Sequence, residues 1–307
     1  MSPLDGALED YLRLRRALGF KLERHGRVLP SLVGYLESAG AATLTTKLAL
    51  GWATAVEGKP DEWAVRLSIA RGFARYLQSL DPATEVPPAD LLPRKRSRAN
   101  PYLYTDEEVL ALMDATGTLR FPLIRATYKT VVGLLATTGM RIGELIGLDR
   151  DDFDREGRTL LVRNAKFCDT RLLPLHETTA EALGDYADLR DKLWPEPEAP
   201  AFFVSTPGKR LLYENVHTTF LYLVRTAGLR PRSERCHPRI HDFRHRMVVV
   251  SLVDWYRQGA DVAALLPALS TYLGHSCPAF TYWYVSAAPE LLALAAERRE
   301  KAMGRRR

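Results

Sequence analysis

The sequence predicts a mainly α-helical protein in two domains, the second carrying one small antiparallel β-hairpin sheet. Three observations carry this expectation. Apolar residues recur at helical spacing along most of the 307 residues. The period shifts to that of strands at residues 159–175. A proline-rich, polar stretch at residues 81–101 separates two helical blocks, and a chain of this length can bury two cores.

The first block reads as four helices. Leu4, Leu8, Tyr11, Leu14 and Leu18 form one helical stripe that Gly19 ends. A second helix runs from about Arg24 to Ser38 and stops at Gly40. A third starts at Thr45-Thr46, which are good N-cap residues, and continues through Trp52 to Val56. The fourth follows Pro60 and places Trp63, Leu67, Ala70, Phe73 and Leu77 on one side and Arg66, Arg71 and Arg75 on another. These arginines fit either a solvated face or a set of phosphate contacts, which position a protein on a duplex without reading its sequence.

The stretch from Asp81 to Pro101 holds Pro82, Pro87, Pro88, Pro93 and Pro101 and the basic run Arg94-Lys95-Arg96-Ser97-Arg98. Prolines stiffen a linker; the cations suit either solvent or a phosphate backbone. We therefore expect a helical domain at 1–85, a basic linker at 86–101 and a second domain at 102–307. That second domain opens with the capping box Thr105-Asp106-Glu107-Glu108. A helix follows from Phe121 to Thr138 and stops at Gly139. Strands are expected at 159–163 and 171–175, then helices at 177–193, 213–227, 243–258, 261–272 and 289–303.

The net charge of +6 suits a polyanionic partner, but charge alone does not separate DNA from RNA or an acidic membrane surface. No run approaches the roughly 18 apolar residues of a membrane span. The N-terminus carries Asp5, Glu9 and Asp10 and no basic-then-apolar leader, so a cytoplasmic, nucleoid-associated protein is expected. Cys168, Cys236 and Cys277 are scattered and odd in number, which suits a reducing compartment.

The chemistry concentrates in the last third. His241-Asp242-Phe243-Arg244-His245 is followed by Leu273-Gly274-His275 and then Tyr284, with Gly139-Met140-Arg141-Ile142-Gly143-Glu144 upstream. Phosphodiester transfer puts negative charge on two non-bridging oxygens, and arginine meets it with a planar fork that keeps its proton. Arg141 and Arg244 are the candidates. Arg141 lies where a helix starts, so free backbone amides are expected to face an anion as well. Glu144, about one turn on, can fix the Arg141 rotamer. His241 and Arg244 share a helix face. His275 follows Gly274, which permits close backbone approach.

Together these residues resemble the signature of the tyrosine recombinases, the phage-integrase family, over about residues 105–290. The resemblance implies a helical core-binding domain and a mixed α/β catalytic domain that close on duplex DNA as a C-shaped clamp. It implies Tyr284 as nucleophile, since its nine-residue step from His275 fits the family whereas Tyr272 and Tyr282 do not. It implies His241 and His275 as proton-transfer and phosphate-binding groups, with Glu144 and His245 in support. Lys166, five residues before Arg171 on the hairpin, corresponds to a general acid for the leaving 5′ oxygen. The family works without metal or other cofactor, because a 3′-phosphotyrosine conserves the phosphodiester energy. Double-stranded DNA is the expected partner, bound by a homo-oligomer of dimer to tetramer size, with sister recombinases as a further option. Asn164-Ala165-Lys166 departs from the family's frequent Gly-Lys-Gly, Arg246 replaces its usual Thr or Ser, and the step from Arg244 to His275 is lengthened. These departures fit a divergent branch, and Leu269-Ser270-Thr271-Tyr272-Leu273-Gly274-His275 resembles transposon-borne members, including those found as adjacent trios of recombinases.

Three rival readings remain open. Cys236, His237, His241 and His245 could hold a metal. The protein could be a catalytically silent accessory DNA binder, although every expected catalytic position carries usable chemistry. A type IB topoisomerase shares a similar tyrosine and arginine set.

Overall fold

The structure, a computed structural model, describes residues 2–58, 60–93, 100–163, 170–206 and 208–274. The chain divides into two compact units, Met1–Arg98 and Ala99–Arg307.

Unit 1 consists of α1 (Pro3–Ala17), α2 (Glu23–Ser38), α3 (Thr46–Thr54) and α4 (Pro60–Leu80); the first three lie within two residues of their expected ends, and the fourth starts at Pro60. Local capping explains the starts. Ser2 and Asp5 form a reciprocal capping box on α1, and Thr45 Oγ1 accepts from the Leu48 amide at 3.3 Å on α3. The apolar stripes meet in one core that includes Leu8, Tyr11, Leu32, Leu36, Trp52, Leu67 and Phe73. The proline-rich stretch begins on this unit rather than leaving it. Thr84 is buried, the Glu85 amide donates to Leu44 O at 2.9 Å, and Arg71 donates to Pro87 O at 2.6 Å and Pro88 O at 2.7 Å.

Unit 2 opens with α5 (Asp106–Ala115), capped by Thr105 and Glu108 as the capping box predicts. It continues with α6 (Pro122–Thr138), α7 (Ile142–Gly147), β1 (Phe153–Asp154), β2 (Thr159–Val162), β3 (Arg171–Pro174), α8 (Glu177–Leu193), α9 (Tyr213–Thr226), α10 (Asp242–Arg257) and α11 (Val262–Leu273). The sheet is antiparallel in the order β1-β2-β3, with Leu160 opposite both Phe153 and Leu173. The expected hairpin therefore gains a third strand. Two residues are too short for an alternating pattern to announce β1.

Leu160, Val162 and Leu173 face a core built around α6, where Val131, Leu134 and Leu135 are buried. A second cluster joins α10 to α11 through Val248, Leu252, Leu266, Leu269 and Leu273. In the turn between them Gly259 takes φ +73°. The expected helix at 289–303 lies outside the described residues. Among the described residues, no helix is long and apolar enough to cross a membrane.

Candidate active site

The end of α6 sets the first arginine. Gly139 takes φ +61° and its amide closes the helix on Leu135 O at 3.0 Å. A side chain there is opposed twice, since a Cβ would also lie 3.2 Å from Met247 Cβ. The chain turns, buries Met140 and presents Arg141 as the N-cap of α7.

Glu144 then holds Arg141 from two sides. Its Oε2 accepts the Arg141 amide at 2.9 Å and its Oε1 accepts Arg141 Nη1 at 2.7 Å. The Arg141 amide expected to face an anion is thus already taken by a carboxylate. Arg171, from the first position of β3, reaches the same carboxylate, with Nη2 donating to Oε2 at 2.8 Å and Nη1 to Oε1 at 3.3 Å. Burial alone pushes the Glu144 pKa up. The hydrogen bonds and charges of Arg171 and Arg141 outweigh it and hold the carboxyl below its ordinary value. Glu144 is consequently an anion at neutral pH.

The second arginine comes from α10. Arg244 is 1% exposed; its Nη1 donates to Gly139 O at 3.1 Å and its Nη2 to Leu273 O at 2.6 Å. A cation held out of water acts on an approaching anion with little dielectric screening. Its neighbours are fixed in turn. The buried Asp242 accepts Arg239 Nε and Nη2, each at 3.0 Å. The Tyr104 hydroxyl donates to Arg239 O at 3.0 Å, and its ring stacks 4.5 Å from Phe243.

His241, the exposed N-cap of α10, and the buried His245 meet edge-to-face at 5.1 Å. The surrounding protein, then Arg244, Arg141 and Arg239, pushes the His241 pKa down to about 4. Burial, then His241, Arg239 and Arg244, brings His245 to about 3. Each cause acts in the same direction, so both rings are neutral at neutral pH.

The two arginines expected to bind phosphate converge on one turn. Arg141 Nη2 donates to Gly274 O at 3.2 Å, next to the Leu273 O that holds Arg244. Gly274 itself ends α11 at φ +64°. Tyr272, on that helix, has its phenol pKa pushed up to about 12 by burial, against a smaller opposing effect of Arg171. The Tyr272 phenol is therefore protonated at neutral pH.

Thus Arg141, Glu144, His241, Arg244 and His245 lie in one described neighbourhood, while Lys166, His275 and Tyr284 fall outside the described residues. The same is true of Arg94, Lys95, Arg96 and Arg98. Of the unit 1 arginines, Arg66 lies 4.1 Å over the Trp52 ring and Arg71 pins Pro87 and Pro88 as described above. Arg75 is exposed. Arg246 pairs with Asp106 at the start of α5. Among the described residues, no group of three or more His, Cys, Asp or Glu is placed to hold a metal, which leaves the metal reading without a site there. The sequence reading did not single out Arg171 or Arg239 as site residues. Arg171 had one available signal: its place five residues after Lys166, with Glu144 otherwise short of cationic partners for a buried carboxylate.

The chain is similar to known proteins in both sequence and fold. Residues 103–290 match the model of the phage integrase family. The chain is 39% identical over 308 residues to y4rB of Sinorhizobium fredii (strain NBRC 101917 / NGR234), a protein named as an integrase/recombinase, covering 98% of each chain. Among solved structures, the Tn1549 transposon integrase in complex with circular intermediate DNA superposes with a TM-score of 0.64 at 19% identity, covering 95% of this chain and 99% of that one. A lambda integrase dimer bound to a COC′ core site gives 0.62 at 19% identity, over 90% and 96%. The extent of the family match and of the shared sequence shows that the chain belongs to the phage integrase family of tyrosine recombinases.

Proposed function

We propose that this protein is a site-specific DNA recombinase or integrase of a mobile element, with Met1–Arg98 as its core-binding unit and Ala99–Arg307 as its catalytic unit. One observation carries the reading. Arg141 and Arg244 come from separate helices and donate to adjacent carbonyls of a single turn, Gly274 O and Leu273 O. Two fixed cations are thereby gathered at the residue that precedes His275 in the chain.

In this mechanism Arg141 and Arg244 stabilise the charge on the non-bridging phosphate oxygens, a contribution worth about 100- to 1000-fold in rate per donor. The Tyr284 oxygen attacks phosphorus. A P–O bond to tyrosine forms as the P–O5′ bond breaks, leaving a 3′-phosphotyrosine and a 5′ hydroxyl. His241 and His275 accept the phenolic proton or bond to phosphate, and Lys166 gives a proton to the departing 5′ oxygen. Attack by a partner strand's 5′ hydroxyl reverses the step and joins new ends. Glu144 and His245 hold the arginines and His241 in place.

The DNA is double-stranded, and its affinity falls steeply with salt. Arg75 and the run Arg94, Lys95, Arg96 and Arg98 supply phosphate contacts, with Arg66 and Arg71 contributing from partly buried positions. The lambda integrase dimer on its core site supports action as a homo-oligomer, and the Tn1549 integrase supports a transposon setting. The test is strand cleavage of a duplex taken from the DNA flanking the gene, in EDTA and in Mg²⁺. Equal cleavage in both supports the reading; a strict Mg²⁺ requirement defeats it.

A further inference from the structure

Three consecutive carbonyls close α11, and each receives a different arginine. Arg171 Nε donates to Tyr272 O at 3.0 Å, Arg244 Nη2 to Leu273 O at 2.6 Å and Arg141 Nη2 to Gly274 O at 3.2 Å. A helix C-terminus favours cations because its last carbonyls lack helical partners. Two of these arginines serve the phosphate in the proposed mechanism. The third, Arg171, has no role in it.

We propose that Arg171 is a positioning residue, clamping Glu144 to the closing turn of α11 and so fixing Arg141 relative to Arg244. The proposal rests on the reading of Arg141 and Arg244 as phosphate donors. Its basis is a closed ring of contacts. Arg171 grips both Glu144 oxygens, at 2.8 and 3.3 Å. Glu144 grips the Arg141 amide and guanidinium. Arg141 returns to Gly274 O, and Arg171 completes the ring at Tyr272 O. Opening the Arg171 links leaves Glu144 held by Arg141 alone and so loosens one anchor of the Arg141 fork.

The chemistry of the link requires arginine. Its planar fork spends three donors in two directions, on a carboxylate and on a carbonyl, whereas an ammonium is a single compact charge. Three of its donors are committed, and the Arg171 side chain is 12% exposed. Gly274 fits the same clamp. A Cβ on it would stand 2.9 Å from Arg171 Nη1, at a φ of +64° that already disfavours a side chain.

The test uses a nicked duplex from the DNA flanking the gene and measures the rate of covalent adduct formation. Two versions are compared at the phosphate where the wild-type adduct maps: the natural phosphate, and a methylphosphonate, in which one non-bridging oxygen and its charge are gone. Arg171→Lys is expected to bind this DNA as wild type does and to lose about 100-fold in rate on the phosphate, as small misplacements of reacting groups do. On the methylphosphonate the gap between variant and wild type should shrink several-fold, because one charge no longer needs its arginine.

Equal losses on both substrates would mean a merely structural role and would overturn the proposal. So would an unchanged rate, or a loss cured by a 5′-bridging sulfur, which places the defect in leaving-group protonation. Gly274→Ala, which keeps Arg171 but crowds it, should show the same substrate pattern and carries the test if Arg171→Lys fails to fold. No adduct from wild type on DNA that it binds would defeat the parent mechanism itself; an adduct from wild type with no selective defect in either variant defeats the positioning role alone.

Discussion

Replacing Glu144 by Gln keeps the shape of the side chain and removes its charge. The carboxylate side chain is 5% exposed and accepts four donors, two on each oxygen. A glutamine can keep its oxygen at the Oε2 position and so retain the Arg141 amide and Arg171 Nη2. Its NH₂ then faces Arg141 Nη1 and Arg171 Nη1, which are both cationic donors. Each hydrogen bond to a charged group contributes about 1.5–3 kcal/mol net. The Arg171 share is largely retained because that side chain is 12% exposed, while the Arg141 share is reduced by solvent because that one is 29% exposed. The loss comes to about 3 kcal/mol, at the lower edge of what breaking a buried ion pair costs. For a unit of roughly 200 residues this lowers Tm by roughly 6–12 °C. Thermal unfolding at pH 7 by circular dichroism reads it. A shift under about 2 °C would show that Glu144 is not the anchor of both arginines and would refute the reasoning.

The histidines of α10 give a pH signature. His245 (about 3) and His241 (about 4) both lie below the ordinary 6.5. The unfolded chain therefore binds more protons over roughly pH 3–6.5, and stability falls as pH drops through that window by at most about 1.4 kcal/mol per pH unit for the buried His245 and by less for the exposed, solvent-screened His241. His245→Gln should flatten the fall between pH 6.5 and 5 in a series of melts; an unaltered slope contradicts the neutral buried ring. In unit 1, Arg71→Ala should lower Tm by freeing Pro87 and Pro88. Arg75→Ala should leave Tm alone and reduce the salt slope of DNA affinity by about 0.9, and the reverse pattern contradicts the assignment. Gly139→Ala, forced to φ +61° against Met247, should cost more than 1 kcal/mol in denaturant unfolding; a neutral result would mean that the turn relaxes without strain.

The elements legible in the sequence were those with their own local physics. The capping box at Thr105 and the stop at Gly139 each encode a boundary within a few residues, the stripe Trp63-Leu67-Ala70-Phe73-Leu77 encodes a buried face, and the observed helices follow them. The Arg141–Glu144 pair was legible for the same reason, since three residues of helix bring the two side chains together. What the sequence did not disclose is long-range. The link from Arg171 to Glu144 spans 27 positions, and Arg244 reaches Leu273 across 29; neither is written in any local period. The hold of Arg71 on Pro87 and Pro88 was not legible because two proline carbonyls carry no side-chain signal. β1 was hidden by its length.

The central claim is a covalent tyrosine intermediate held by two arginines. It is tested most directly by incubating wild type and Tyr284→Phe with the nicked flanking duplex in EDTA and resolving the products on a denaturing gel. The account predicts a protein–DNA adduct with wild type and none with Tyr284→Phe. An adduct that persists in Tyr284→Phe would move the nucleophile elsewhere, to Tyr282 first. Absence of any adduct from wild type on DNA that it binds would contradict the covalent mechanism and favour an accessory DNA-binding role.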